Sequence, residues 1–360
     1  MIKFNNKNTN PSLTKETDNF NRQNPFKYFV MNYAVVLILV IIVIAVGVME
    51  PKFMTLNNFQ NILKQVSIIG IIACGSAFVI IGGMIDLSVG SIVSLVAVSY
   101  VMIYDVLGIG PSIILCLLIG AGCGLASGSI ISAVKGKMGV SFIVTYGMQS
   151  IIAAAALLVS GSTYKKGNLN DPIFMGIGYG FGPIAILIVA VVISQFLLVK
   201  TKAGRRMFFL GGNEEAARLT GVNTKSYRSL TFMLSGLFAA LGGIVMVSRV
   251  GSASPTAGTG YELDVIAGIV VGGIALTGGK GSIVNAFIGT VAIGVLGNAL
   301  NLLGVSSYPQ LIVKGALIII AVLIDTMTKN RSTQNTTYKA KHKNEQNWGE
   351  EHVTSEKLCK

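Results

Sequence analysis

The sequence predicts an all-α integral membrane protein, a polytopic bundle of about ten transmembrane helices with interrupted or re-entrant segments. Three observations support this fold class: 52% of the 360 residues are hydrophobic, only 12% are charged, and the mean hydropathy is +0.69. Soluble proteins carry roughly 25% charged residues, so about half of the usual charge is missing. Most of the chain is therefore expected to lie in lipid.

A polar leader at 1–27 and a polar tail at 329–360 flank a membrane domain at 28–328. Within this domain, ten apolar runs are each close to the ~20 residues that a helix needs to cross the hydrocarbon core, although the eighth is short. The first run is expected to be a retained span, because it is too long for a signal-peptide core and no small-residue cleavage site follows it. The runs are 28–49, 65–82, 88–107, 111–134, 141–160, 182–199, 229–248, 263–276, 282–303 and 308–327.

The cations predict how these runs cross the membrane. If the N-terminus is cytoplasmic, 22 of the 28 Lys and Arg residues fall in inward segments and five in outward loops. This asymmetry predicts that both termini are cytoplasmic and that 200–228 is the longest inward loop. It also explains the net charge of +13 without nucleic acid, which is not an expected partner because no basic and aromatic stripe is present.

The histidines and cysteines do not indicate a catalytic site, a metal site or a disulfide framework. His342 and His352 lie in the polar tail with Cys359, and the other three cysteines lie inside apolar runs. No paired metal-ligand motif or disulfide framework is visible, and the membrane domain has no imidazole base. The sequence therefore predicts no catalytic residue, no metal and no cofactor.

Many of the 43 glycines lie inside the apolar runs. Gly120, Gly124 and Gly128 recur every four residues, as do Gly268 and Gly272. Small residues at this spacing let helices approach closely in lipid. They predict tight helix packing or a subunit contact.

An aspartate interrupts the apolar sequence between the second and third runs. Two glycines at 82–83 break one helix, and Asp86 or Ser88 can cap the N–H groups of the next. A carboxylate in a membrane is expensive and needs a partner, a cavity or the interface. Two interpretations stay open: a capped helix start at the inner surface, or contact with a transported polar solute, which would also involve Ser91. Lys314 in the last run either snorkels to the outer interface, or lines the path or pairs with an acidic residue.

The inward loop 200–228 contains signals for a short helix. Asn213 is a preferred N-cap, Glu214 and Glu215 would lie in the electropositive first turn, and Gly221 would end the helix. A helix of seven residues is marginal alone in water, so it is expected to dock on something. A surface helix without a partner is the alternative.

Three segments of the sequence are distinctive: Gly-Met-Ile-Asp-Leu-Ser-Val-Gly-Ser at 83–91, Gly-Gly-Asn-Glu-Glu-Ala-Ala-Arg at 211–218 and Gly-Gly-Lys-Gly-Ser at 278–282. Together they resemble the ribose and simple-sugar permease family of bacterial ABC transporters. The run Glu-Ala-Ala at 215–217, followed by Gly221, is also similar to the signature with which ABC importer permeases engage their ATPase subunits.

The resemblance extends from about residue 53 to residue 325, with two departures. The trailing Ile-x-Leu-Pro of the ATPase-engaging signature is absent, and Val140 stands where family members often have a proline before the fifth span. The second departure bears on which substrate is carried more than on the fold.

The resemblance implies an ABC importer permease in the bacterial cell membrane that carries a simple sugar. Its implied partners are a cytoplasmic ATP-binding subunit, an extracellular solute-binding protein, a second permease copy or paralogue, and membrane lipid. The chain is not the motor, because its one Walker-like stretch has Ile274 in place of the first glycine and Gly281 in place of Ser or Thr. The implied ATPase-coupling residues are Asn213, Glu214, Glu215, Ala216, Ala217, Arg218 and Gly221, and the candidate pathway residues are Asp86, Ser88, Ser91 and Lys314.

Other functions are still possible from the sequence. A nucleoside or another small polar solute could replace the sugar. An ion-coupled secondary transporter would need several ionisable residues at mid-membrane, whereas only Asp86, Lys314 and Asp105 are candidates. This scarcity favours an external energy source.

Overall fold

The computed structural model describes residues 40–41, 43–320 and 322–323. The leader, the tail with its histidines, and most of the first predicted span lie outside the described residues. Residues 40–41 and 43–49 are helical and precede a 3-10 turn at Pro51–Met54.

Twelve further helices and one short two-stranded antiparallel sheet make up the rest of the described part of the chain. The helices are α1 (Leu56–Ile81), α2 (Val89–Leu107), α3 (Ile109–Ala133), α4 (Met138–Ser160), α5 (Pro172–Gly178), α6 (Gly182–Lys200), α7 (Lys202–Gly212), α8 (Glu214–Leu219), α9 (Thr224–Val250), α10 (Tyr261–Val271), α11 (Ile283–Leu302) and α12 (Ser307–Ile320). Strand β1 (Lys165–Lys166) pairs antiparallel with β2 (Ser252–Ala253) and ties the α4–α5 connection to the end of α9.

Seven of the described helices are long and apolar enough to cross a membrane: α1, α2, α3, α4, α6, α9 and α11. Each corresponds to a predicted apolar run, so the all-α membrane fold is confirmed. The count of about ten spans is not confirmed. The eighth run, 263–276, forms the 11-residue α10, which is about 16 Å long and too short to cross the ~30 Å core as one helix.

α10 ends where two glycines follow it. Gly272 is the C-cap, and Gly273 adopts a left-handed φ of 84°. A side chain at Gly272 would overlap the backbone of Asn285 on α11, so the chain leaves the helix at a close backbone approach. The remaining residues of the predicted run, 272–276, are not helical. The eighth segment is therefore an interrupted one.

The core of the bundle is formed by α1, α2 and α9, most of whose residues are buried, with α11 beside them. In contrast, most residues along the apolar lengths of α3, α4 and α6 are not buried. Their outward side chains include Leu118, Ile143 and Ile188. Such a surface is suited to lipid or to another membrane subunit.

The predicted glycine ridge of α3 packs inside the chain. Gly120 lies against Gly236 of α9, and Gly124 lies against the Phe232 backbone one turn away. Gly268 of α10 similarly lies against Thr290 of α11. The tight packing expected from the small-residue spacing is thus confirmed, and both partners of each contact belong to the same chain.

Candidate functional site

The loop 200–228 folds into two helices, α7 and α8. Thr201 begins α7 by accepting a hydrogen bond from the Gly204 amide at 3.1 Å. Asn213 then caps α8, and its side-chain oxygen accepts a hydrogen bond from the Ala216 amide at 3.0 Å. Gly221 follows the end of α8 with a φ of 80°, and its amide donates to the Arg218 carbonyl at 3.0 Å. The predicted cap and helix end are therefore confirmed.

The exposed face of α8 carries an ion pair. Arg218 Nη2 lies 2.6 Å from Glu215 Oε1, and both side chains are 66% exposed. The hydrogen bond from Arg218 lowers the pKa of the Glu215 carboxyl, and the same contact raises the pKa of Arg218. Exposed pairs contribute little to stability, so these charges are available to a partner surface.

The other glutamate of α8 points inward. Glu214 Oε1 lies 2.5 Å from Arg228 Nη2 on α9, and Arg228 is only 2% exposed while Glu214 is 27% exposed. Ala217 is also buried. Glu214 thus fastens α8 to the first turns of α9, whereas Glu215 faces outward.

A glycine junction, formed by Gly83, Gly211, Gly278 and Gly279, lies next to α8. A Cβ at Gly278 would come within 2.6 Å of the Gly83 Cα, and one at Gly279 would come equally close to the Gly212 Cα. The Gly279 amide donates a hydrogen bond to the Ile81 carbonyl at 2.8 Å. Backbone contacts of this kind exclude side chains. The three segments that carried the sequence resemblance therefore meet at one place.

The Asp86 segment leads from this junction into the bundle. Asp86 is 3% exposed, and its Oδ1 accepts hydrogen bonds from the Ser88 amide at 2.9 Å and the Ser88 hydroxyl at 2.6 Å. Ser88 is the N-cap residue of α2, but its hydroxyl bonds Asp86 and not the helix amides. Asp86 therefore organises the turn before α2, and the alternative in which Ser88 caps the helix with its hydroxyl is wrong.

Polar groups continue along the start of α2 and α10. Gly90 lies against Glu262, whose Oε1 accepts from Gln149 Nε2 at 3.3 Å and from the Gly260 amide at 3.2 Å. Ser91 is 7% exposed in the same turn of α2 as Gly90. Hydroxyl, amide and carboxylate groups are therefore gathered near the beginnings of two helices.

Lys314 on α12 pairs with an acidic residue, as one of its two sequence interpretations predicted. Its Nζ lies 2.7 Å from Asp264 Oδ1, and the side chains are 21% and 10% exposed. Asp264 and Glu262 both lie in the first turn of α10, so the Lys314 pair adds a charged contact to the start of this helix.

Replacing Lys314 with glutamine should destabilise the protein by about 1–3 kcal/mol, because Asp264 would keep a poorly hydrated charge without its partner. The shift in thermal unfolding of the detergent-solubilised chain measures this loss. The double variant Lys314→Gln with Asp264→Asn removes both charges and should recover part of it. If Lys314→Gln were as stable as the unmodified chain, the Lys314–Asp264 ion pair would not stabilise the fold.

Sequence reasoning did not identify Arg228 or Gln149 as site residues. Gln149 is the one amide side chain in the apolar run 141–160, and this isolated polar residue could have indicated a site residue. Arg228 was counted only as an inward cation, because its burial depends on helix packing. Within the described residues, no group of three His, Cys, Asp or Glu side chains is placed to hold a metal ion.

Comparison with known proteins identifies a matching family and several relatives, which are named as transport or import permeases. Residues 58–322 match the family model described as the branched-chain amino acid transport system / permease component. A ribose import permease protein of Bacillus subtilis is 44% identical over 297 residues, which cover 80% of this chain and 90% of the relative.

Two Escherichia coli proteins are also similar. A ribose import permease protein is 40% identical over 307 residues, covering 83% of this chain and 95% of the relative. An L-arabinose transport system permease protein is 35% identical over 303 residues, covering 81% and 90% respectively. No solved structure matches the chain.

Proposed function

This chain belongs to the family described as the branched-chain amino acid transport system / permease component, and from this premise we propose that it is the membrane permease subunit of an ABC importer for ribose or a similar simple sugar. Permease components of such importers are not enzymes, because ATP hydrolysis belongs to a separate subunit.

The sugar assignment is supported by the named relatives more than by the family description. That description names amino acids, but relatives at 40% and 44% identity are named for ribose, and another at 35% is named for L-arabinose. The polar region near α2 and α10 suits a polyhydroxylated solute, because it offers hydroxyl, amide and carboxylate groups. Asp86, Ser88, Ser91 and Lys314 are the proposed pathway residues.

We also propose that α8 couples the membrane helices to the ATP-binding subunit. The observation that supports this coupling role is the glycine junction beside α8. It joins the turn before α2, the end of α7 and the turn before α11 through direct backbone contacts. The Glu214–Arg228 pair then connects α8 to α9, which runs through the core. A movement of α8 would displace α2, α9 and α11 together, because helices joined by such tight contacts move as one rigid unit.

The proposed partners follow from this arrangement. A cytoplasmic ATP-binding subunit would cover the coupling surface, made of the exposed residues Asn213, Glu215, Ala216, Arg218 and Gly221, which Glu214 and Ala217 support from the inner side of α8. An extracellular binding protein would deliver the sugar, and a second permease copy or paralogue would pair with the exposed helices within the lipid. The leader at 1–27 and the tail at 329–360, which flank the membrane domain at 28–328 in the sequence, would then both lie in the cytoplasm.

Replacing Glu215 with arginine should lower ATP-driven sugar uptake at least about tenfold without unfolding the protein, because reversed charge on a docking surface is strongly unfavourable. Uptake of labelled ribose into vesicles that contain the ATPase and binding protein measures the effect. Gel filtration and thermal unfolding check that the variant is folded.

The exchange variant Glu215→Arg with Arg218→Glu separates two roles of this pair. It restores the contact within α8 but presents reversed charges to a partner, so it should remain defective. Recovery of uptake in the exchange variant would limit the pair to a local role. Uphill ribose uptake by the chain alone, without any ATPase, would overturn the ABC importer assignment and favour an ion-coupled transporter.

A further inference from the structure

A groove of about 530 Å³ runs between α3 and α9, at the end of the bundle where α3 stops and α9 starts. The two helices are antiparallel here, because Gly128 packs against Ser229 and Gly124 packs against Phe232 about one turn further along. The groove is open on the outer side of the bundle, where Leu125 is 43% exposed. Its lining residues are Leu125, Ser129, Ser132, Ala133, Lys225, Ser226, Ser229, Leu230 and Met233.

The chemistry of the groove changes along its length. Lys225 lies in the first turn of α9, at the end of the bundle, whereas Leu230 and Met233 lie further into the membrane-spanning part of the helix. From Lys225 to Met233 the groove follows α9 over about 12 Å, at ~1.5 Å per residue. One headgroup layer of a bilayer is roughly 5–8 Å thick. The groove therefore extends from the level of the lipid headgroups into the level of the acyl chains.

The polar end of the groove has hydrogen-bonding capacity that the chain does not use. The Ser132 hydroxyl donates to the Lys225 carbonyl at 3.0 Å and lies 3.0 Å from the Ser229 hydroxyl, so these contacts form the floor of the groove. Ser129 and Ser226 are exposed, and their hydroxyls have no hydrogen-bond partner among the described residues. These two hydroxyls are free to donate to a ligand in the groove.

The groove is positively charged. The Lys225 ammonium is exposed and takes part in none of the ion pairs formed by the described residues. None of the nine described residues that line the groove is acidic. A cationic pocket between membrane helices, with an apolar continuation toward the bilayer centre, is complementary to an anionic phospholipid. A second copy docked symmetrically on this groove would instead bring two Lys225 side chains together, which is unfavourable.

We propose that this groove binds an anionic phospholipid of the adjoining leaflet. The lipid phosphate faces Lys225 and accepts hydrogen bonds from the hydroxyls of Ser129 and Ser226. One acyl chain lies along Leu230 and Met233, and the bound lipid covers the α3–α9 contact from outside. The binding step does not depend on the proposed sugar transport or on which end of the bundle is cytoplasmic.

Native mass spectrometry of the detergent-solubilised full chain tests this site, by titration with phosphatidylglycerol and phosphatidylcholine that carry identical acyl chains. The first phosphatidylglycerol should bind about fivefold more tightly than the first phosphatidylcholine, which is the contribution of one lysine near an anionic lipid. Lys225→Gln should remove most of this preference, and Lys225→Arg should retain it because the charge is kept. Ser129→Phe fills the groove without changing its charge and should remove the preference as well.

Lys200→Gln is the matched control for Lys225→Gln. Lys200 is an exposed cation at the end of α6, where the loop 200–228 begins, and it does not line the groove. This variant should keep the lipid preference of the unmodified chain.

Equal affinities of the unmodified chain for the two lipids would overturn the proposal, and so would equal losses of preference in Lys225→Gln and Lys200→Gln. Loss of a chain dimer in Ser129→Phe with the lipid preference intact would also overturn it, because a second copy would then occupy the groove. Ribose uptake enters none of these measurements, so the lipid site and the transport function fail separately.

Discussion

Replacing Glu214 with alanine is expected to destabilise the protein by about 2–4 kcal/mol, because the buried Arg228 guanidinium loses its only paired carboxylate among the described residues. The value lies below that of a fully enclosed pair, since Glu214 is 27% exposed and a cavity adjoins the contact. The shift in thermal unfolding of the chain in nanodiscs, monitored by intrinsic fluorescence or by gel filtration after heating, measures the loss.

Glu215→Ala is the matched control, because the two glutamates are adjacent in one helix and differ in burial. Its pair with Arg218 is 66% exposed on both sides, so the loss should stay within about 1 kcal/mol. Glu214→Leu with Arg228→Met removes both buried charges and should regain most of the stability lost in Glu214→Ala. Similar losses in Glu214→Ala and Glu215→Ala would contradict the inward orientation of Glu214.

The membrane helices were largely predictable because hydropathy and helix-end signals are local. The run 88–107 differs from α2 by one residue, since Ser88 precedes the helix and Gly108 ends it with a φ of 74°. The run 263–276 shows the limit of such signals. Its apolar residues continue beyond Val271, but α10 stops where Gly272 meets the backbone of α11, and that contact is tertiary.

Helix α8 was predictable for the same reason, but its orientation was not. Asn213 and Gly221 specify where α8 begins and ends through contacts within a few residues. Which glutamate turns inward depends on Arg228, which lies 14 residues from Glu214 on another helix. A helical pattern of six residues is too short to reveal a buried face.

The glycine junction was not predictable from one sequence. Gly83, Gly211 and Gly278 are far apart in the chain; Gly83 and Gly278 have an ordinary local explanation as turn residues, and Gly211 lies in the last turn of α7. Their mutual contact follows from how α1, α7 and α11 are arranged. Lys314 had two interpretations because its neighbours on α12 carry no information about Asp264.

Replacing Gly124 with leucine is expected to prevent stable folding, with a loss of more than about 3 kcal/mol. A Cβ at this position would overlap the carbonyl oxygen of Phe232 on α9, and the next closest atoms are also backbone. Backbone cannot rotate away as a side-chain tip can, so α3 would have to separate from α9. Because α9 lies in the core and carries Arg228, the separation would also disturb the contact between α9 and α8. The yield of monodisperse protein after detergent extraction measures this loss.

Gly122→Leu is the matched control for this prediction, because the same substitution is made two residues earlier on α3. Gly122 is exposed, and a Cβ there would meet no atom within 4 Å, so the leucine would point toward lipid. This variant should be obtained in nearly unchanged yield, and the slightly better helix propensity of leucine favours it. If Gly122→Leu instead failed to fold and Gly124→Leu did not, the packed face of α3 would be the opposite one. The two variants therefore test whether the four-residue glycine spacing serves packing within the chain, since a ridge reserved for another subunit would leave Gly124→Leu folded and impair only assembly.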